Sequence, residues 1–283
     1  MNIDHSTLIT TPNQSDLGKK TEYDPQYNPD KLFAIPRKLN REQIKIPDKL
    51  PFFGFDVWNH YEVSWLNSKG KPIAAIAEMT FPCDSQNIIE SKSMKLYFNS
   101  FNNTIIQDIN TLRSTMQKDI ESRINACISI KLTPLMQVTN EIYYRGMDGY
   151  CIDDIDISCT DYTVNPSYLY TDVETVNEAL YSDLLKSNCL VTNQPDWGSV
   201  QIIYHGQKIN REGLLRYIVS FRNCNDFSEQ CIERIFMDIM QYCNPSKLTV
   251  YGRFTRRGGL DINPLRSTEK IIPDHLNKRL CRQ

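Results

Sequence analysis

The chain lacks the residue spacings that most cofactor and metal chemistries require. Its 283 residues contain no Gly-x-Gly-x-x-Gly run and no Gly-x4-Gly-Lys-Ser/Thr run. That argues against a Rossmann dinucleotide domain and against a P-loop. Histidine is scarce: the four are His5, His60, His205 and His275. None has a second His or Cys at helical or zinc-loop spacing, so no metal site is expected. No two of the nine cysteines form Cys-x-x-Cys, and their number is odd. This is cytosolic thiol usage rather than a disulfide framework. No apolar run approaches the ~18 residues of a membrane span, and no apolar h-region opens the chain. A cytoplasmic protein, neither exported nor membrane-embedded, is expected. Net charge is small, −2 from 32 basic and 34 acidic residues. Nothing in that balance selects a nucleic acid or a membrane surface as a direct partner.

What is present is ordinary for a globular chain: 40% hydrophobic and 23% charged residues. The charge is unevenly placed. Acids dominate from Met147 to Asp183, and bases dominate from Arg253 onward, which suits a small phosphorylated ligand. Residues 1–35 are polar and read as a tail. Two strand-like runs, 57–66 and 73–81, flank Asn67-Ser68-Lys69-Gly70-Lys71, a hairpin signal.

A shift of 120 residues superposes the chain on itself. Tyr97-x-x-Ser100-Phe101 falls on Tyr217-x-x-Ser220-Phe221, each at the end of a strand-like run. A helical stripe follows in both: Ile109, Leu112, Met116, Ile120 and Ile124 in the first, Phe227, Cys231, Ile235, Ile239 and Cys243 in the second. Ile128 and Ile130 then fall on Leu248 and Val250. A constant register through strand, helix and strand argues for duplication. The expected modules are 36–145 and 187–283, joined by an acidic connection over 146–186. In this register Asn210 and Glu212 stand at the positions of Glu90 and Lys92, and Glu229 matches Ile109. The modules therefore carry different chemistry.

The segment Cys189-Leu190-Val191-Thr192-Asn193-Gln194-Pro195-Asp196 opens on a thiol and closes on a carboxyl group. Pro195 fixes its own φ and pushes Gln194 toward extended backbone, so the stretch reads as a structured loop. A thiolate nucleophile needs a proton acceptor as it forms, and its adduct needs a donor. One Cys and one Asp can supply both. A buried Cys beside an Asp-capped turn fits the spacing equally.

Three blocks carry a resemblance: Leu185-Lys186-Ser187-Asn188-Cys189 with Gln194-Pro195-Asp196-Trp197-Gly198-Ser199; Glu90-Ser91-Lys92-Ser93-Met94-Lys95-Leu96-Tyr97-Phe98; and Arg256-Arg257-Gly258-Gly259-Leu260-Asp261-Ile262-Asn263-Pro264. In this order the chain resembles the NADPH-dependent 7-cyano-7-deazaguanine reductases, nitrile reductases of the queuosine pathway of tRNA modification, in their long two-module form. The resemblance implies an α+β fold of tandem tunnelling-fold (T-fold) modules, with antiparallel sheets and helices packed on one face, and a homodimer. It implies Cys189 as nucleophile and Asp196 as proton donor. Ile89, Glu90, Ser91, Ser228 and Glu229 would hold the nucleobase, and Ser91, Lys92, Arg257 and Gly258 would hold NADPH. In one place the chain departs from the family: Phe227-Ser228-Glu229 stands where the pattern has Phe-His-Glu. That departure supports an impaired reductase. A cyclohydrolase-type pterin enzyme of the same fold, a nitrilase-type thiol hydrolase and a non-catalytic binding module compete with the reductase.

Overall fold

A computed structural model of the chain describes residues 24–138, 143–190, 192–273 and 277–283. The chain forms two compact units, and two of the boundaries between them, 56/57 and 261/262, fall within single strands. The first contains residues 24–43, 57–138 and 256–261; the second contains 44–56 and most of the chain beyond 143.

In the first unit β1 (Ala34–Pro36) leads into a short helix α1 (Arg37–Gln43). Strands β2 (Phe53–Leu66) and β3 (Pro72–Pro82) then form the hairpin anticipated around Asn67, whose side chain caps the turn by accepting from the backbone of Lys69 and Lys71. A short β4 (Asn87–Ile89) pairs with β1, and two helices follow: α2 (Ser91–Asn99) and α3 (Ile109–Ile124). Strand β5 (Ser129–Pro134) runs antiparallel to β3, Met79 opposite Ile130. Of the expected apolar stripe of α3, Leu112, Met116, Ile120 and Ile124 are 0% exposed, whereas Ile109 in the first turn is half-buried. His60 is buried against Phe98 and bonded through Nδ1 to the Gly259 carbonyl. Burial lowers its pKa to about 4, so the ring is neutral.

The second unit adds β6 (Tyr150–Cys151), the 18-residue β7 (Thr171–Asn188), β8 (Pro195–Ile209), α4 (Arg211–Ser220), α5 (Ser228–Cys243), β9 (Lys247–Phe254) and β10 (Leu260–Ser267). Its strands lie in the order β10-β9-β8-β7-β6, antiparallel except for the last pair. Helix α5 packs on β9 and β8 and buries Cys231, Ile235, Ile239 and Cys243.

Two sequence expectations are corrected. The runs ending at Tyr97 and Tyr217 are helices α2 and α4, not strands. The reason lies at their starts: Glu90 accepts from the Lys92 and Ser93 amides, and Asn210 accepts from the Gly213 amide. Each satisfies backbone donors that only a helix leaves exposed. The constant register of 120 also fails after these helices. Helices α3 and α5 are both sixteen residues long, and both end on a left-handed Asn, Asn125 and Asn244, a shift of 119. Glu229 therefore corresponds to Asn110 rather than Ile109.

The duplication itself extends further than the patterns suggested. Tyr97 donates to Asp119 at 2.7 Å, and Tyr217 donates to Asp238 at 2.6 Å. Ser100 and Ser220 each return a hydroxyl bond to the tyrosine carbonyl at 2.6 Å. Upstream, Asp24-Pro25-Gln26-Tyr27-Asn28-Pro29 and Asp161-Tyr162-Thr163-Val164-Asn165-Pro166 form the same turn. In each, Asn donates to the leading Asp, caps a 3-10 turn that starts at Pro, and gives its backbone N–H to the repeated serine.

Within the second unit, Arg266 lies 0% exposed between two carboxylates: Asp56 at 2.7 Å and Glu233 at 2.9 Å. Removing one member of such a buried set leaves uncompensated charge, which costs about 3–5 kcal/mol. Arg266→Met is expected to lower the unfolding free energy by that amount in urea titrations. A loss under about 1 kcal/mol would show that the three charges do not act as one network.

Candidate active site

Strands β7 and β8 close on the Cys189 loop. In their register Ser187 faces Asp196 and Asn188 faces Pro195. Paired residues of antiparallel strands project to one face, and so does the residue two further along. Asp196 therefore shares the face of Ser187, and Cys189 follows directly on the last paired residue, Asn188. The loop is held by its backbone: Cys189 N–H donates to Gln194 O at 2.8 Å, and Asn193 N–H to Cys189 O at 3.0 Å. Asn193 takes a left-handed conformation, φ 55°, which Asn tolerates better than most residues. Cys189 is buried and Asp196 is half-buried.

A polar clamp ties this loop to the chain ahead of α5. Asn188 N–H donates to Cys224 O at 2.7 Å. The side chains of Asn188, Asn225 and Asn193 form a relay of amide bonds at 3.0 and 2.6 Å. Lys186 braces it, donating to Asn188 Oδ1 and to Arg222 O, both at 2.6 Å. Three residues after Asn225 comes Ser228, the first residue of α5. In this way the fold brings Cys189 and Asp196 beside the start of the helix that carries Ser228 and Glu229.

That helix start differs from its counterpart. At α3, Asp108 caps the amides of Asn110 and Thr111. At α5, Phe227 holds the cap position and makes no side-chain cap bond. Glu229, in the first turn of α5, is buried. Asp226 is turned away, accepting from Arg234 at 3.1 Å and from the Cys224 thiol at 3.0 Å. Burial pushes the Cys224 and Cys231 thiols upward, so neither is a ready thiolate.

The first unit gathers the other residues. Ile89 is buried at the end of β4, and Glu90 begins α2. Glu90 Oε1 and Oε2 accept from the Lys92 and Ser93 amides at 2.8 Å each. Burial raises its pKa; the two amide bonds and the charges of Lys92 and Arg257 oppose that rise. Lys92 and Lys95 lie on this helix, not on a strand as their pattern suggested.

Arg257-Gly258-Gly259-Leu260 is a two-residue hairpin turn, with Arg257 N–H donating to Leu260 O at 2.8 Å. Both glycines have positive φ, 61° and 80°. A side chain at Gly259 would press the Glu62 carboxyl group at 2.6 Å, and one at Gly258 would meet Lys95 at 3.1 Å. Only glycines fit this turn, and it lies against α2. Ile89, Glu90, Ser91, Lys92, Arg257 and Gly258 thus belong to one unit, and Cys189, Asp196, Ser228 and Glu229 belong to the other.

Sequence reasoning missed the Asn188–Asn225–Asn193 relay, the Lys186 brace and the Asp226–Arg234 pair. Three asparagines near one thiol were the available signal, but nothing along the chain joins 193 to 225. Among the described residues no group of three His, Cys, Asp or Glu gathers as a metal site, and no helix is long and apolar enough to cross a membrane.

Two family models match in tandem. One, nitrile reductase, 7-cyano-7-deazaguanine-reductase N-term, covers residues 23–132; the other, QueF-like protein, covers 195–272. The chain is 58% identical over 272 residues to the NADPH-dependent 7-cyano-7-deazaguanine reductase of Legionella pneumophila strain Lens, spanning 96% of this chain and 95% of the relative. The same enzyme of strains Corby and Paris is 58% and 57% identical over the same shares. A solved archaeosine synthase QueF-Like in the apo form covers 36% of this chain and 99% of its own, at 14% identity and a TM-score of 0.31, too distant to bear on the fold. With tandem models and near full-length relatives in agreement, this chain belongs to the NADPH-dependent 7-cyano-7-deazaguanine reductases.

Proposed function

We propose that the chain reduces the nitrile of 7-cyano-7-deazaguanine to the primary amine 7-aminomethyl-7-deazaguanine, consuming two NADPH and two protons, in queuosine biosynthesis. The observation that supports this is the β7–β8 register, in which Ser187 faces Asp196 and Cys189 follows directly on the last paired residue, Asn188. A nitrile carbon is a weak electrophile. Addition of Cys189 sulfur forms a C–S bond, and the thiol proton passes to the nitrile nitrogen, giving a thioimide. Asp196 relays that proton and those needed as the nitrogen becomes an amine. When the C–S bond breaks, the thiol is restored. NADPH would supply the two hydrides, and Ser91, Lys92, Arg257 and Gly258 would hold it; a guanidinium matches phosphate geometry, and glycine allows close backbone approach.

Glu90 and Glu229 would accept the N–H donors of the deazaguanine edge. Each Glu90 oxygen carries one cap bond and retains a lone pair for this purpose. Ile89 and Ser91 would add backbone contacts. We read the modules as 36–145 and 187–283, the connection as 146–186, and the working assembly as a cytoplasmic homodimer. A pterin cyclohydrolase is not favoured by the three Legionella relatives, each named a reductase.

Three outcomes are expected. Without NADPH, the nitrile substrate should add to Cys189, seen as one intact-mass adduct that is absent in Cys189→Ala. An adduct surviving in that variant would reassign the nucleophile. Glu90→Gln keeps a cap acceptor but turns a donor toward the nucleobase. Substrate titration should weaken five- to a hundredfold, equivalent to about 1–3 kcal/mol. Unchanged affinity would remove Glu90 from the nucleobase site. Ser228 is the first residue of α5, and a serine hydroxyl is shorter than an imidazole and cannot carry charge. Ser228→His should speed single-turnover reduction of the preformed adduct about tenfold, or ~1.4 kcal/mol of barrier. Equal rates would make serine a fully competent native residue.

A further inference from the structure

Arg253 and Arg266 are the two largest fully buried side chains of the chain. They are treated differently. Arg266 has two carboxylates. Arg253, 2% exposed on β9, has only neutral partners among the described residues. Its Nε donates to Gln283 Oε1 at 2.9 Å, and its Nη1 donates to Tyr251 Oη at 2.8 Å and Asn277 Oδ1 at 3.1 Å. Its Nη2 is buried with no partner among the described residues. A buried cation without a counter-ion is costly, and buried charges are as a rule paired.

The arginine forms part of the wall of a cavity of about 300 Å³ that belongs wholly to the second unit. That is the lower end of the range for small-ligand sites. Tyr144, Met147, Tyr251 and Leu280 give the cavity aromatic and aliphatic walls. The Tyr144 segment is fastened to Leu280 by bonds on either side, Tyr144 N–H to Arg279 O at 3.0 Å and Cys281 N–H to Tyr144 O at 2.9 Å. Gln201 lines the cavity too, and its Nε2 is engaged by Asp148 O at 2.6 Å. Two exposed charges also line it, Lys278 and Asp148, paired at 3.1 Å, with the Lys278 ammonium 5.0 Å from the Tyr144 ring centre. With Arg253 the lining carries two positive charges and one negative.

We propose that this cavity binds a small organic carboxylate on a planar apolar body, the carboxylate serving as the counter-ion that Arg253 lacks among the described residues. The aromatic walls take the body, and the charged lining favours a monoanion. None of the residues assigned to nitrile reduction lines the cavity, so the site is distinct from the reductase centre.

The probe pair is 3-phenylpropionate and its neutral amide, titrated into the full chain by calorimetry and by saturation-transfer NMR. The carboxylate should bind at least about tenfold more tightly than the amide. Lys278→Met should weaken it two- to fivefold and Asp148→Asn should tighten it by a similar factor, the range expected of exposed charges. Neither change should alter amide binding. Met147→Trp, which fills the cavity, should abolish binding while leaving the unfolding midpoint in place, and Arg253→Gln should erase the preference for the carboxylate. If Arg253→Gln does not fold, the lining and filling variants decide. Equal affinity for the amide, no binding at all, or binding that survives Met147→Trp would overturn the proposal. Displacement of the probe by NADPH or by the cyano-deazaguanine would also overturn it, by making the cavity part of the reductase site.

Discussion

The Arg266 guanidinium, shut away from water between Asp56 and Glu233, is the constraint on which the second unit turns. It joins three segments that are far apart in sequence: the start of β2, strand β10 and helix α5. Charges this deep have no solvent to fall back on, so the three segments must meet in one geometry. Glu233 lies one turn after Glu229 on α5. The network therefore fixes the angle at which the helix presents Ser228 and Glu229 beside the Cys189 loop. Hydrophobic burial makes α5 stable; the ion network makes its position specific.

The duplicated scaffold shows how one architecture is given two chemistries. The supporting interactions are the same in both copies: the Asp-x3-Asn-Pro turn, the tyrosine bonded to an aspartate on the next helix, and the left-handed asparagine that ends that helix. The differences lie at helix starts. In the first copy Glu90 spends part of its carboxylate on capping α2, where Asn210 caps α4 with an amide. In the second, Phe227 stands where Asp108 caps α3 and gives no cap bond of its own. A cap contributes about 1 kcal/mol of helix stability. Giving it up is tolerable where the rest of the helix is as well buried as α5.

The amide relay around Cys189 serves a similar end. Asparagine side chains are neutral, so they hold the loop without adding a charge that would perturb a nearby thiol. The one cation of the clamp, Lys186, is turned to Arg222 O and Asn188 Oδ1.

Much of this was legible along the chain. The β2–β3 hairpin followed from its turn residues, and the α3 and α5 stripes followed from their 3.6-residue period, because both signals are local. The family followed from three ordered motifs. The Tyr97 and Tyr217 segments read as strands because their apolar pattern is short and their caps, a Glu and an Asn, act through backbone atoms that a pattern does not display. The repeat at Asp24 and Asp161 was present as letters but carried no apolar period to draw attention to it. Tertiary structure alone decided the rest. It paired Asn188 with Asn225, set Gly258 against Lys95, and gave Arg266 two carboxylates while giving Arg253 none among the described residues. These are long-range pairings between residues whose polarity says that they need partners but not which ones, and only the packed chain can choose.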